Sequence, residues 1–257
     1  MTKIAVRPTI GTVAKNLPSQ KAPEPMPKET LRVATYNIRK AKGTDRERDP
    51  ERILAVIADL RADVVMLQEA DMRLPPRPPA LPVARIREIT GLVPVDPGGD
   101  GPSMGAHGNA LLVAPAWQVE AVKAHDLPGL EPRGMLTARL RGPGERVLRI
   151  AGVHLGLLRA SRRGQLMAIR TVMTGDMPTV IAGDFNERSE TGGLEELGDR
   201  FRPLAPRDSF HARWPRWPLD RIVVSRHFTT PAPEVVLDER TRLASDHLPL
   251  VATLEWD

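Results

Sequence analysis

The stretch Pro178-Thr179-Val180-Ile181-Ala182-Gly183-Asp184-Phe185-Asn186 joins an apolar run to a glycine, an acid and an amide. The apolar part predicts a short buried strand, because runs of this length and composition are typical of strands inside a layered fold. Asp184 and Asn186 follow directly after the run, so their polar side chains lie where the strand ends. The stretch therefore predicts a sheet whose edge carries groups capable of chemistry.

Other predicted strands also end in polar residues. Leu31–Tyr36 alternates in polarity and is followed by Asn37, and the apolar run Val64–Leu67 is followed by Gln68 and Glu69. Between these two strands, Asp49-Pro50-Glu51 predicts the start of a helix, with a capping carboxylate and a proline in the first turn. Further strand patterns cover residues 109–113, 134–140, 147–153, 222–224 and 250–254, and a second helix is predicted to begin at Ser161 and to end at Gly175.

A set of acids, amides and histidines lies at or beside the ends of these predicted strands. Each residue alone has an ordinary explanation as a helix cap or a turn residue. Their convergence nevertheless predicts a single cleft. The set comprises Asn37, Glu69, Asn109, His154, Asp184, Asn186, Asp220, Asp246 and His247.

The composition limits the possible classes of protein. The 257 residues contain 41% hydrophobic and 27% charged residues, which is ordinary for a soluble globular protein. The sequence has no apolar run long enough to span a membrane, so we expect no stable membrane insertion. Zero cysteines exclude disulfides and thiolate chemistry. A formal net charge of +5 suits a polyanionic partner but is equally compatible with a role in solubility.

The first 30 residues differ from the rest. Residues 1–30 are rich in proline and polar side chains, and we expect a flexible arm that precedes a single domain at 31–257. The arm has no continuous apolar segment of the kind that a secretory signal needs. A cytoplasmic location is therefore expected.

Short motifs spread along the domain resemble the endonuclease/exonuclease/phosphatase superfamily, which includes pancreatic deoxyribonuclease, sphingomyelinases and inositol polyphosphate phosphatases. The resemblance covers about residues 31–256 and implies an α/β fold, a four-layer α/β/β/α sandwich of two mixed β-sheets flanked by helices. The motifs, in the order of the family, are Thr35-Tyr36-Asn37, Leu67-Gln68-Glu69, Gly108–Leu112, Val153-His154-Leu155, Gly183-Asp184-Phe185-Asn186, Leu219-Asp220-Arg221-Ile222 and Ser245–Pro249.

The resemblance implies a metal site. Glu69 resembles the principal ligand of a divalent cation, assisted by Asn37 and Asp246. Carboxylate and amide oxygens suit a hard ion, and the expected cofactor is Mg²⁺ or Mn²⁺. A zinc site is not indicated, because the sequence has neither cysteines nor a His-Glu-x-x-His pair.

The resemblance also implies catalytic roles. His247 resembles the catalytic histidine, and Asp220 resembles the carboxylate that orients its ring. His154 and Asn186 resemble donors to the phosphate oxygens. Asp184 resembles the residue that orients or deprotonates the attacking water, and the choice between Asp184 and His247 as general base stays open.

Substrate contacts are expected from five further positions. Asn109 resembles a residue that forms hydrogen bonds around the site. Arg221 stands where eukaryotic nucleases often have an aromatic residue, although bacterial members with arginine are familiar. Trp214 and Trp217 alternate with arginines and can stack on bases, or else pack in the protein. Arg163 belongs to a basic helix face that either follows a phosphate backbone or is simply solvated.

The expected function is hydrolysis of phosphodiester bonds by a metal-dependent enzyme, with nucleic acid as the leading substrate. One alternative is a phosphatase or phosphodiesterase acting on phospholipid headgroups or small phosphate esters. A further alternative is a non-catalytic nucleic-acid-binding protein with the same fold.

Overall fold

The structure is a computed structural model that describes residues 30–72, 75–98 and 101–257. The arm predicted at 1–30 lies outside the described residues except for Thr30, which begins the first strand. Three short 3₁₀ helices cover Arg39–Ala41, Pro143–Glu145 and Glu195–Leu197. In chain order, the strands and α-helices are β1 (Thr30–Asn37), α1 (Pro50–Leu60), β2 (Val64–Gln68), α2 (Val83–Thr90), β3 (Val93–Pro94), β4 (Ala110–Val113), β5 (Gln118–Leu127), β6 (Arg133–Arg141), β7 (Val147–His154), α3 (Arg159–Val172), β8 (Thr179–Asp184), β9 (Phe201–Pro203), β10 (Asp220–Ser225), β11 (Phe228–Thr229), β12 (Glu234–Val235), α4 (Glu239–Ala244) and β13 (Leu250–Trp256).

The strands form two mixed sheets. The seven-stranded sheet has the order β11-β13-β1-β2-β4-β3, with β12 also pairing with β13, and the six-stranded sheet has the order β5-β6-β7-β8-β10-β9. One pair in each sheet is parallel, β1 with β2 and β7 with β8, and the other pairs are antiparallel. Each parallel pair is connected through a helix, α1 or α3, as a parallel crossover requires.

Three apolar cores separate four layers. The central core lies between the sheets and includes Val33 and Met66 from the first sheet and Ile150 and Val180 from the second. A second core packs α1 and α2 on the outer face of the first sheet, and a third packs α3 on the outer face of the second. The strands next to the centre are apolar on both faces because both faces are covered. The four-layer α/β/β/α sandwich is therefore confirmed.

The strand register brings the polar strand ends to one rim. Asn37 stands opposite Gln68 at the ends of β1 and β2, which run in parallel. His154 stands opposite Asp184 at the ends of β7 and β8, and Asp220 begins β10 directly beside Asp184. Since the two parallel pairs end at the same rim, residues distant in sequence share one edge of the sandwich.

Local predictions were mostly correct where the apolar pattern was strong. Asp49 caps α1, its side chain accepting a hydrogen bond from the Arg52 amide at 3.0 Å. The second predicted helix starts earlier than Ser161, at Arg159, and ends at Val172 before Gly175; its N-cap Leu158 makes no side-chain hydrogen bond.

Some elements had not been predicted. The edge strand β5 is largely exposed, so it lacks an apolar alternation, and α2 follows Pro82 without a capping side chain. In the described part of the chain, no helix combines the length and the apolar character needed to cross a membrane.

Close strand approach at Gly183 gives a stability prediction. A Cβ at Gly183 would overlap the carbonyl oxygen of Val153 in the neighbouring strand. We expect Gly183→Ala to lower the free energy of unfolding by about 2 kcal/mol, because overpacking forces backbone shifts. Urea unfolding followed by circular dichroism measures this difference.

The matched control is Gly152→Ala on the adjacent strand, where a Cβ would meet the Met66 side chain at 3.6 Å, an ordinary contact. This variant should change the free energy of unfolding by less than about 1 kcal/mol. Equal stability of the two variants would contradict the close-approach explanation.

Candidate active site

The Asp184 carboxylate is the centre of the rim. Its Oδ2 accepts a hydrogen bond from Asn37 Nδ2 at 3.0 Å, and its Oδ1 accepts one from the Asn186 amide at 2.9 Å. His154 Nε2 lies 3.4 Å and His247 Nε2 lies 3.6 Å from the same Oδ2. Asp184 is almost fully buried. The buried charge is therefore surrounded by donors from both sheets, as a buried carboxylate requires.

Asp220 holds the ring of His247. His247 Nδ1 lies 2.8 Å from Asp220 Oδ2, which also accepts a hydrogen bond from Ser209 Oγ at 2.6 Å. Phe210 packs against the His247 ring, with centroids 4.8 Å apart. Ligand atoms of Asp184, Asp220 and His247 lie within 4.8 Å of one another. Because His247 forms a hydrogen bond with Asp220, we interpret these three residues as an acid-histidine cluster rather than as a metal-binding site.

The residues of the predicted metal site have basic neighbours. The Glu69 carboxylate forms an ion pair with Lys40, and Asp246 Oδ2 lies 3.1 Å from Arg39 Nε. Asn37 Oδ1 accepts a hydrogen bond from the Arg39 amide at 3.1 Å. The ligand atoms that these residues offer are oxygens, which fit a hard divalent cation, and lysine and arginine balance the charges of the carboxylates.

Strained backbone accompanies this site. Lys40, Glu69 and Asn186 have φ values of 56°, 52° and 51°, in the left-handed region that residues other than glycine rarely adopt. Glu69 directly follows β2, and Asn186 closely follows β8. The left-handed conformation turns the backbone where it leaves the sheet after β2 and again after β8. Such conformations cluster at functional sites.

The pKa values of the two histidines beside Asp184 are shifted in opposite directions. Burial lowers the pKa of His154 to about 4. Burial also opposes the charge on His247, but the carboxylates of Asp220 and Asp184 outweigh it and raise its pKa to about 10. Burial raises the pKa of Glu69, but the hydrogen bond to Lys40, together with the charges of Lys40 and the nearby histidines, outweighs it and lowers the pKa. The rim thus keeps one histidine neutral and the other protonated near neutral pH.

A cleft of about 680 Å³ opens beside Glu69 and His154. Basic side chains contribute much of its wall: Lys40, Arg77, His107 and Arg133. Acidic side chains of Glu69, Asp71 and Glu131 line it as well. A proline-rich loop contributes Pro75 and Arg77 to this wall, and a glycine-rich loop contributes His107 and Gly108.

Three predicted substrate contacts lie elsewhere. Asn109 is fully buried, and its Nδ2 donates to the Gly134 carbonyl at 2.9 Å. Arg221 is buried and donates to the carbonyls of Pro218 and Ser189. Arg163 lies on exposed α3 and forms an ion pair with Glu196. Asn109 and Arg221 are thus buried on backbone carbonyls, and their contacts with a substrate stay predictions.

The tryptophans have different surroundings. Trp214 is 72% exposed and Trp217 is 38% exposed. The Trp217 ring stacks on Phe210, with centroids 6.0 Å apart and an interplanar angle of 17°, and the Arg188 guanidinium lies over it at 4.4 Å. The ring of Trp217 is thus already occupied by protein groups, whereas Trp214 stays accessible.

Sequence analysis missed several residues of the site. Arg39 and Lys40 come shortly after the motif that ends at Asn37, and that proximity is the signal that could have found them. Ser209 and Phe210 reach Asp220 and His247 only through the tertiary fold, and no periodic pattern marks them.

The two facing sheets share a rim that carries an acid-histidine cluster, an arrangement suited to hydrolytic chemistry. A comparison with protein-family models matches residues 34–247 to the Endonuclease/Exonuclease/phosphatase family. The chain belongs to this family, whose members are hydrolases of phosphoester bonds and generally depend on a divalent metal. A search of curated proteins found no match.

Solved structures with different activities share the fold. An endonuclease/exonuclease/phosphatase from Bacteroides vulgatus is 19% identical, with a TM-score of 0.72 over 90% of this chain and 100% of its own. The mannosyl-6-phosphatase of Bacteroides thetaiotaomicron is 17% identical, with a TM-score of 0.68 over 88% and 100%. D. rerio TDP2, complexed with a single-strand DNA product, is 16% identical, with a TM-score of 0.69 over 88% and 99%.

The opposite histidine shifts can be measured in metal-free protein by NMR. We expect the His154 ring to stay neutral down to about pH 4 and the His247 ring to stay protonated up to about pH 10. Since the folded pKa of His247 exceeds its unfolded value of about 6.5, its stabilisation is complete below that pH and is lost as the pH rises through the folded value.

Asp220→Asn should lower the pKa of His247, because it removes the carboxylate at Nδ1. His125, which bonds to Thr137 on β6, serves as the internal reference and should titrate equally in both proteins. An unchanged His247 titration in Asp220→Asn would refute the assigned pairing.

Proposed function

We propose that this protein is a divalent-metal-dependent phosphodiesterase that acts on nucleic acid. The proposal depends on one observation above all: His247 is held between Asp220 at Nδ1 and Asp184 near Nε2, at the rim where Asn37 and Glu69 also emerge. This arrangement supplies an oriented histidine, a carboxylate for water and oxygen ligands side by side, which are the parts that metal-assisted attack on a phosphodiester requires.

In this proposal Glu69, Asn37 and Asp246 hold Mg²⁺ or Mn²⁺. The bound ion would supply Lewis-acid polarisation of a phosphate oxygen. Lys40 and Arg39, which pair with Glu69 and Asp246, would supply additional positive charge beside a bound phosphate.

Asp184 orients the attacking water. Its Oδ2 lies at the centre of the rim, and its Oδ1 is fixed by the Asn186 amide. His247 has a carboxylate near each ring nitrogen, so the geometry favours the imidazolium, which stabilises charge that develops on the phosphoryl group. We therefore assign the proton of the water to Asp184, with Asp220 orienting His247.

His154 and Asn186 are proposed as phosphate donors. Asn186 Nδ2 donates one N–H to the Leu155 carbonyl at 2.8 Å, which fixes the amide. A primary amide has a second N–H, available to a substrate oxygen. His154, kept neutral by burial, presents Nε2 to the same rim. Fixed donors of this kind stabilise developing charge without reorganisation.

Nucleic acid is supported as the substrate by the formal charge of +5, and by Lys40, Arg77 and Arg133, which line the cleft together with three acidic side chains. The likeness to TDP2, crystallised with single-strand DNA, is consistent with this choice. The likeness to a mannosyl-6-phosphatase makes a small phosphate ester the second candidate. Phospholipid headgroups and non-catalytic binding stay further alternatives, and a cytoplasmic location stays a prediction.

A substrate panel tests the reaction. We expect Mg²⁺- or Mn²⁺-dependent cleavage of single-stranded DNA, plasmid DNA or RNA, and of bis-p-nitrophenyl phosphate, with little activity on sugar phosphates, inositol phosphates or sphingomyelin. His247→Ala should lower kcat by about 10² to 10⁴, as expected for loss of a positioned catalytic group. His125→Ala, on the edge strand β5, is the matched control and should retain full activity.

Cleavage of sugar phosphates in preference to nucleic acid would favour the second candidate. If His247→Ala binds DNA and retains the turnover of the parent, the catalytic assignment is wrong. DNA binding without any hydrolysis by the parent would instead identify a non-catalytic binding protein.

Metal binding can be measured without turnover. In isothermal titration calorimetry with Mn²⁺, Glu69→Gln should weaken binding by at least about tenfold, because a neutral amide replaces a charged ligand. Glu51→Gln, at an exposed ion pair of α1 with Arg85, is the control and should bind like the parent. Equal Mn²⁺ affinity of Glu69→Gln and the parent would place the metal elsewhere.

A further inference from the structure

The loop that follows the Asp184 motif is firmly anchored. Glu187 forms a buried ion pair with Arg162, at 2.8 Å, and its Oε1 accepts a hydrogen bond from the Ser189 amide at 2.9 Å. Arg221 donates to the Ser189 carbonyl at 2.8 Å. Two buried arginines therefore hold the residues on either side of Arg188.

Arg188 itself is exposed on this anchored loop. Its guanidinium lies 4.4 Å from the centroid of the Trp217 ring. Within the described residues, no carboxylate forms an ion pair with Arg188, whereas Arg162, Arg163 and Arg226 all have acidic partners. A stacked guanidinium keeps its N–H donors in the ring-parallel plane free for an anion.

A row of rings connects Arg188 to the catalytic histidine. Trp217 stacks on Phe210 with centroids 6.0 Å apart, and Phe210 packs on His247 at 4.8 Å. Neither Arg188 nor Trp217 lines the cleft that contains Lys40 and Arg77. The protein thus has a second cationic position, reached from His247 through aromatic contacts and separate from the cleft wall.

We propose that Arg188, held over Trp217, binds a phosphate of the substrate strand other than the phosphate that is hydrolysed. The inference rests on the proposed function and deepens it. A planar guanidinium matches two phosphate oxygens, and a nucleic acid has a phosphate at every linkage. A substrate with a single phosphate would leave Arg188 without a partner. Trp217 is then a support for Arg188 rather than a platform for a base.

The test compares two substrates that differ in their number of phosphates. Bis-p-nitrophenyl phosphate has one, and a short single-stranded oligodeoxynucleotide has several. For Arg188→Met, the ratio of kcat/KM on the oligonucleotide to kcat/KM on bis-p-nitrophenyl phosphate should fall about tenfold, the loss of one charge-assisted contact, and KM should account for it. Arg188→Lys should restore only part of this ratio, since an ammonium group lacks the planar pair of N–H donors of a guanidinium.

Arg200→Met is the matched control. Arg200 is also exposed and also lies over an aromatic ring, that of Phe201, at 5.7 Å. However, it donates to the carbonyl of Gly175, which precedes the start of β8, whereas Asp184 lies at the end of that strand. This variant should leave the ratio unchanged. Trp217→Leu, which removes the support of Arg188, should lower the ratio in the same direction as Arg188→Met.

Fluorescence anisotropy of a labelled oligonucleotide in EDTA separates this inference from the proposed reaction. Arg188→Met should weaken binding about tenfold whether or not the parent shows turnover. An unchanged affinity, or an equal loss of kcat/KM on both substrates, would overturn the role of Arg188 while leaving the phosphodiesterase intact. A parent that binds through Arg188 but hydrolyses neither substrate would instead refute the proposed reaction.

Discussion

The hydrogen bond from Asn37 to Asp184 joins the two sheets at the rim, and the site depends on it. Asn37 ends β1 in one sheet, and Asp184 ends β8 in the other. The central core holds the two sheets together but does not fix how their strand ends face each other, because apolar burial is not directional. A buried carboxylate, in contrast, needs donors at defined positions. The carboxylate therefore fixes how the two strand ends face each other.

Charge balance explains the rest of the rim. Asp184 and Asp220 are buried, and bringing carboxylates into a protein interior is costly unless opposite charge or donors accompany them. The His247 ring lies close to both of these carboxylates. Lys40 forms an ion pair with the more exposed Glu69, and Arg39 forms one with Asp246. Histidine and basic side chains thus stabilise a concentration of acids that would otherwise repel one another. Two of these acids, Glu69 and Asp246, are the proposed ligands of the divalent cation.

The strand ends were predictable because apolar runs and the polar residues after them are local features of sequence. Asn37, Glu69, His154 and Asp184 all lie where the pattern predicted, at the ends of four strands. The orientation of single side chains was not predictable from such patterns. Arg221 follows Asp220 in the chain, yet its side chain points into the protein towards backbone carbonyls.

Long-range partners were equally out of reach. The two tryptophans lie close together in the sequence, but their surroundings differ. Trp217 contacts Phe210 and Arg188, whereas Trp214 is exposed. Ser209 and Asp220 also meet across a loop whose path no local pattern records. Strand type follows from local composition, whereas such contacts depend on which residues the packed layers bring together.

The buried ion pair of Arg162 with Glu187 is better explained by position than by stability. Desolvation of two charges offsets most of their attraction, so a buried pair adds little net stability compared with apolar residues of similar volume. Breaking such a pair is nevertheless costly, and this asymmetry makes the geometry rigid. Glu187 lies between Asn186 and Arg188, so one anchor sets both a proposed phosphate donor and the exposed arginine. The continuation of a single strand, β8, thereby places Asp184, the proposed water-handling acid, and Arg188, the proposed outer phosphate contact, on the same rigid segment.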